Sequence, residues 1–260
     1  MRIHYNEAMK SSVVSIVVTF FGLGTGLFAQ QHDAVRVLVS NGLKGAMEEL
    51  LPEAQRAVGR PLSVEYNSTL SVRKKIEAGE AFDATLITTE AVSDLVRQGK
   101  VTANSRTELA RSELGIGIKT GAPKPNIKTV EGLKRALREV KVITYPQDGA
   151  SRGYIEMMFE KLGIASEVKP KVVLAPGSGP ATESVAAGKA NFVITLFSEI
   201  VPITGVEILG PLPGEYQSDI KFAAGVSSSA MNPEPAKALI AFLKAPKAAA
   251  VLKAKGLEPR

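Results

Sequence analysis

The chain has 260 residues, 45% of them hydrophobic and 22% charged, with a net charge of +6 at pH 7; this is a globular balance with length for one large domain or two smaller ones. There is no cysteine and no tryptophan, and the two histidines, His4 and His32, both lie near the N-terminus, which excludes disulfides, thiolate chemistry, Cys-ligated zinc and a histidine-based triad in the body of the chain. Aromatic residues make up only 5% and no block of Lys and Arg occurs, so neither a base-stacking platform nor a phosphate-tracking stripe for nucleic acid is present.

Residues 1–29 read as a signal peptide. Arg2 and Lys10 give a basic start, "SVVSIVVTFFGLG" is an apolar stretch too short to span a bilayer, and Ala29 is a small residue at the point of cleavage. A periplasmic or secreted location follows. From Val35 onward, β-branched runs alternate with amphipathic stretches. "VRVLVS" (35–40) is a buried strand, and Leu43, Ala46, Met47, Leu50 and Ala54 then recur at helical spacing. Pro52 should kink or split that helix, and Gly59 closes it. Strands follow at 62–66 and 82–88, with helices over 68–79 and about 90–98.

The second half continues the alternation. Strands are predicted at 113–119, 141–145, 171–175 and 192–196, then at "VEILG" and "IKFAAGVS". Helices are predicted from Thr129, over the stretch that buries Ile155, Met158, Phe159 and Leu162, near 180–187, and over 234–243 and 246–254. This is an α/β chain.

In open α/β sheets, ligands sit at the carboxyl ends of strands beside helix N-termini. Here those junctions hold Ser40-Asn41-Gly42, Asn67-Ser68-Thr69, Thr88-Thr89, Gly149-Ala150-Ser151-Arg152, Gly177-Ser178-Gly179 and Ser198. Each Ser, Thr or Asn alone is an ordinary helix cap worth about 1 kcal/mol. Together they make a donor-rich site for an anion. Acids are not concentrated at these junctions, so no metal site is expected. Phosphate-loop and dinucleotide fingerprints are absent from the mature region, and no cofactor is expected.

The stretches "VRVLVSNGLKGAMEELLPE", "IEAGEAFD" and "PAKALIAFLKAPKAAAVLKAKGLEP" resemble the molybdate-binding proteins of bacterial ABC importers, within the type II periplasmic binding proteins; the similarity runs from about residue 35 to 259. The resemblance implies two α/β lobes, each a mixed sheet flanked by helices, joined by two crossovers that form a hinge. Lobe one would comprise 33–112 plus 226–260, and lobe two 113–225. It further implies a monomer that carries a tetrahedral oxyanion such as molybdate or tungstate to a membrane permease. Neutral hydroxyls and backbone N–H groups hold such a dianion, which needs donors only. By position the first serine site falls on Ser40 to Gly42, the second on Ser68, Thr69 or Ser71, and the lobe-two donors on Ala150-Ser151 and Gly177 to Pro180, Gly179 among them.

Two departures open an alternative. The family's tyrosine contact falls near Leu196, Phe197 and Ser198, and Arg152 stands in a loop where the family has small residues. A small di- or tricarboxylate clamped by Arg152 is the alternative ligand. An enzyme on this fold would need a Ser with Lys or Glu, and no spacing singles out such a pair; a non-catalytic binding protein is the expectation.

Overall fold

In a computed structural model the described residues are 34–260; the expected signal segment lies outside them. Val35–Ser40 (β1) carries one exposed side chain, Arg36, and is otherwise buried, as its β-branched run requires. After it come the helix Lys44–Val58 (α1), the strand Leu62–Asn67 (β2), the helix Thr69–Glu77 (α2), the strand Ala84–Thr88 (β3) and the helix Thr89–Arg97 (α3). Next are the strand Thr107–Lys119 (β4), the helix Val130–Glu139 (α4), the strand Ile143–Pro146 (β5) and the helices Arg152–Lys161 (α5) and Ala165–Val168 (α6). Then follow the strand Val172–Ala175 (β6), the helix Ser178–Ala186 (α7), the strand Phe192–Leu196 (β7), the short helix Phe197–Ile200 (α8) and the strand Val206–Pro211 (β8). The chain closes with Asp219–Val226 (β9), Pro233–Leu243 (α9), Pro246–Ala254 (α10) and Glu258–Pro259 (β10).

The strands lie in the order β2-β1-β3-β9-β4-β7-β5-β6, with β8 and β10 also paired to β4. β4 belongs to both lobes. Residues Thr107 to Glu113 pair antiparallel with β9, whereas Leu114 to Ile118 pair antiparallel with β7. Within each lobe the inner strands are parallel, β1 with β2 and β3, and β5 with β6 and β7. Helices cover both faces of each sheet. One core gathers Val37, Met47, Leu86, Phe222 and Leu239, and a second on the other face holds Leu38, Val72, Ile87 and Leu95. In lobe two the corresponding groups are Ile116, Leu133, Ile143 and Phe159, and then Ala181, Val185, Val193 and Ile200. This is the two-lobed α/β architecture that the resemblance implies.

Three local expectations need correction. Pro52 does not split α1, which runs unbroken to Val58. Pro52 and Glu48, whose carbonyl loses its intrahelical donor, are both exposed, so water can satisfy that oxygen. β4 begins six residues earlier than the predicted 113, because its first half is a strand of lobe one. β9, expected in lobe two, pairs with β3 and with that same half of β4. Its Phe222, Ala224 and Val226 fill the first core, so the second crossover precedes Asp219.

The "IEAGEAFD" stretch also finds its physical reason. Asp83 is buried, and its carboxylate accepts from the Arg36 N–H at 2.9 Å, the Asn232 N–H at 2.8 Å and the Asn232 side-chain amide at 3.3 Å. It ties β1 and β3 to the start of α9.

Candidate functional site

β1 ends on Ser40, buried, and β2 ends next to the α2 N-terminus. The Thr69 hydroxyl donates to Ser40 Oγ at 3.1 Å, locking the two strand ends together. Ser68 caps α2: its Oγ accepts from the Ser71 N–H at 3.1 Å and donates to Ser71 Oγ at 3.0 Å. From lobe two, β5 ends at Pro146, and the loop behind it is pinned by the Gln147 N–H donating to the Ala175 carbonyl at 2.8 Å. α7 starts at Ser178, and α8 follows β7 directly, with Leu196 as both the last residue of the strand and the N-cap of the helix.

These ends face one another across a narrow hollow. Ser40, Asn41, Ser68, Thr69 and Phe222 line it from lobe one; Pro146, Asp148, Gly149, Ala150, Ser178, Leu196 and Glu199 line it from lobe two. Its volume is about 10 Å³, close to what one water molecule needs. Leu196 and Ala150 of lobe two pack against the first core, so the lobes touch beside the hollow. A second cavity of about 260 Å³ adjoins it, sharing Asn41, Ser178 and Glu199 and adding Lys44, Glu48, Gly179, Glu183 and Ser198.

Glu199 therefore stands in the wall common to both spaces. Its carboxylate accepts from the hydroxyls of Thr195 and Ser178 and from the Leu196 backbone, yet burial outweighs these bonds and raises its pKa, and Asp148 raises it further. Its neighbour Ser198 is buried, and its hydroxyl has no hydrogen-bond partner among the described residues. The Ser198 N–H donates to Ser112 Oγ at 3.1 Å, and Ser112 in turn donates to the Gly256 carbonyl at 2.9 Å, which fixes α8 to lobe one.

Of the residues singled out from the sequence, Ser40, Asn41, Ser68, Thr69 and Ala150 line the hollow. Gly179 and Ser198 line the adjoining cavity. Gly42 does not reach either space: it packs under the Phe222 ring, where a Cβ would collide. Ser71 serves as the partner of the Ser68 cap, and Ser151 is buried in the turn before α5. Arg152 lies elsewhere. Its Nε donates to Glu156 at 2.8 Å and its Nη1 to the Gln147 carbonyl at 2.7 Å, and it lines a separate cavity of about 490 Å³ with Tyr145, Phe159 and Lys169. The cation disfavoured at a helix N-terminus finds its anion one turn along its own helix, so Arg152, the clamp of the alternative reading, lines that separate cavity and not the hollow.

A family model described as "Bacterial extracellular solute-binding protein" matches residues 35–258. The chain belongs to this family. Among its relatives, an "Aconitate isomerase" of Pseudomonas sp is 27% identical over 239 residues, covering 90% of each chain. A molybdate-binding protein of Azotobacter vinelandii is 25% identical over 256 residues, 95% of this chain and 98% of the relative. The solved periplasmic molybdate-binding protein from Azotobacter vinelandii superposes with a TM-score of 0.72 at 21% identity, over 86% of this chain and 98% of its own; that likeness establishes the shared fold. The family is extracytoplasmic, and among the described residues no helix is long and apolar enough to cross a membrane.

Compared with the donor-only site expected for the family, the hollow contains two acids, Asp148 and Glu199. Sequence reasoning missed both. Asp148 lies one residue before the predicted 149–152 loop, and Glu199 follows the predicted Ser198; "LFSEI" after a buried strand was the available signal, a lone acid in an apolar run. Among the described residues no cluster of acids and histidines could hold a metal ion.

Proposed function

We propose that the protein is a solute-binding component of an ABC importer, a monomer that takes a small organic acid between its lobes and presents it to a membrane permease. The observation that carries this reading is the convergence of Ser40, Ser68, Thr69 and Ser178, with the starts of α2 and α7, on one hollow that no basic side chain among the described residues lines. Hydroxyls and free N–H groups at helix starts suit an anion. Asp148 favours an organic acid over molybdate, tungstate or sulfate. A fully deprotonated oxyanion offers only acceptors and meets a carboxylate with repulsion. An organic acid can turn a hydroxyl or a hydrocarbon edge toward Asp148, Leu196 and Phe222. The adjoining cavity has space for further carboxyl groups, beside the unpartnered Ser198 hydroxyl and Lys44. The Pseudomonas relative is named for an acid of this kind.

Calorimetry of the mature protein against cis-aconitate, trans-aconitate, citrate, molybdate and sulfate tests the reading. Saturable one-to-one binding of an organic acid, with silence toward both oxyanions, is the expected result. The reverse pattern restores the oxyanion reading, which the hydroxyl lining also supports.

A second reading, turnover of the bound acid, is favoured by the two carboxyls in the hollow together with the isomerase relative. Moving the double bond of aconitate breaks one methylene C–H and forms one C–H at the former vinyl carbon. A single carboxylate that takes and returns the proton balances this shift. Asp148 is the carboxyl assigned that part. Proton NMR of cis-aconitate in heavy water checks it: the trans isomer should accumulate with deuterium, and the Asp148→Asn variant should not produce it. An unchanged spectrum leaves a binding protein without turnover.

A further inference from the structure

We propose that Glu199 is a specificity-determining residue that meets the ligand as a neutral carboxyl and donates a hydrogen bond to one of its anionic oxygens. This rests on the organic-acid reading of the same hollow. Three observations carry it. Glu199 belongs to both cavities at once, so its remaining accessible surface opens onto the space a ligand would fill. α8 is held rigidly, because the Ser198 N–H is bonded to Ser112 and the Phe197 ring lies against Gly115, where a Cβ would collide. The carboxyl is also poorly solvated, and its partners are neutral: Thr195 from β7, Ser178 from α7 and the Leu196 backbone.

The charged groups around it point the same way. Asp148, in the loop before α5 and lining the same lobe-two side of the hollow, raises the cost of a second negative charge. Lys44 and Glu48 of α1 and Glu183 of α7 share the adjoining cavity, and Lys44 is drawn to Glu48, with Nζ and Oε1 3.7 Å apart. Among the described residues no cation acts on Glu199. An ionised Glu199 would repel an incoming anion; a protonated one adds a further donor to the hydroxyls of the hollow. Two acids with separated roles result: Asp148 accepts, Glu199 donates.

The proton is tested without any ligand. Infrared spectra of the free mature protein at neutral pH should show a protonated-carboxyl stretch that disappears in Glu199→Gln. If the two spectra match in that region, Glu199 is ionised and the proposal is overturned. The donation is tested by calorimetry with citrate and trans-aconitate. Glu199→Leu, which has no donor, should lose at least ten times more affinity than Glu199→Gln, which keeps one. Equal losses in the two variants overturn it. If neither acid binds the wild-type protein, the organic-acid reading falls and donation falls with it, whereas the infrared band still decides the state of the carboxyl.

Discussion

Ser68 is at once a helix cap and part of the hollow, and this dual role makes the two effects separable. Ser68→Ala should cost about 1 kcal/mol of stability for the lost cap, and roughly 1–3 kcal/mol of binding for a lost bond to a charged ligand. Ser40→Ala should weaken binding by a similar amount, because its oxygen faces the hollow beside Thr69. Arg152→Ala, by contrast, should leave affinity within about twofold, since its charge is met by Glu156 outside the hollow. Calorimetry on the three variants checks this, and a large loss in Arg152→Ala alone would reinstate the clamp. Glu199 gives a pH dependence with a definite sign. Its folded-state pKa lies above the ordinary glutamate value, so the native protein keeps a proton that the unfolded chain has released. That contribution is complete below the unfolded pKa and is lost as pH rises through the folded value. Thermal melts from about pH 5 to about pH 9 should therefore show wild type losing stability relative to Glu199→Gln as pH rises.

At the level of elements, β4 and α8 decide where Glu199 stands. Gly115 leaves space on β4 for the Phe197 ring, the first residue of α8. Gly115→Ala should cost about 1–3 kcal/mol through overpacking, and should weaken ligand binding by displacing α8. Shrinking the ring in a Gly115→Ala/Phe197→Leu double variant should recover part of both losses, because residues in contact are not additive. Denaturant melts and calorimetry on the single and double variants measure it; strict additivity would show that the helix is held by other contacts. Most elements were legible from period and punctuation. The Val35–Ser40 run, the Ser68 cap and Thr129, whose hydroxyl accepts from the Gly132 N–H at 3.1 Å, occur as the sequence suggests. β4 was half missed because "TELARS" alternates weakly and includes Arg111, which reads as surface. In the fold, Arg111 is paired with Asp219 and Glu258 from the neighbouring strands, partners far away in sequence.

For the molecule as a whole, a hollow with space for about one water cannot admit an organic acid while the lobes touch. Ligand access requires the lobes to part about the two crossovers, β4 near Glu113 and the segment before β9. Small-angle scattering should show a larger radius of gyration without ligand than at saturation with citrate or trans-aconitate. Superimposable profiles would mean the lobes do not move. The same ligand, at about 100 times its dissociation constant, should add about 2.7 kcal/mol to unfolding stability.

The sequence by itself determined the alternation of strands and helices, the membership of the family, and the hydroxyl-bearing strand ends, because these depend on local period, caps and turns. Ser40, Ser68 and Thr69 were found that way. Only the tertiary structure decided which of these ends share a space. It turned Arg152 onto its own helix, folded Gly42 under Phe222, and brought Asp148 and Glu199 into one wall from segments about fifty residues apart. The physical reason is that a side chain's direction and solvation depend on what packs around it, which local period, caps and turns do not specify.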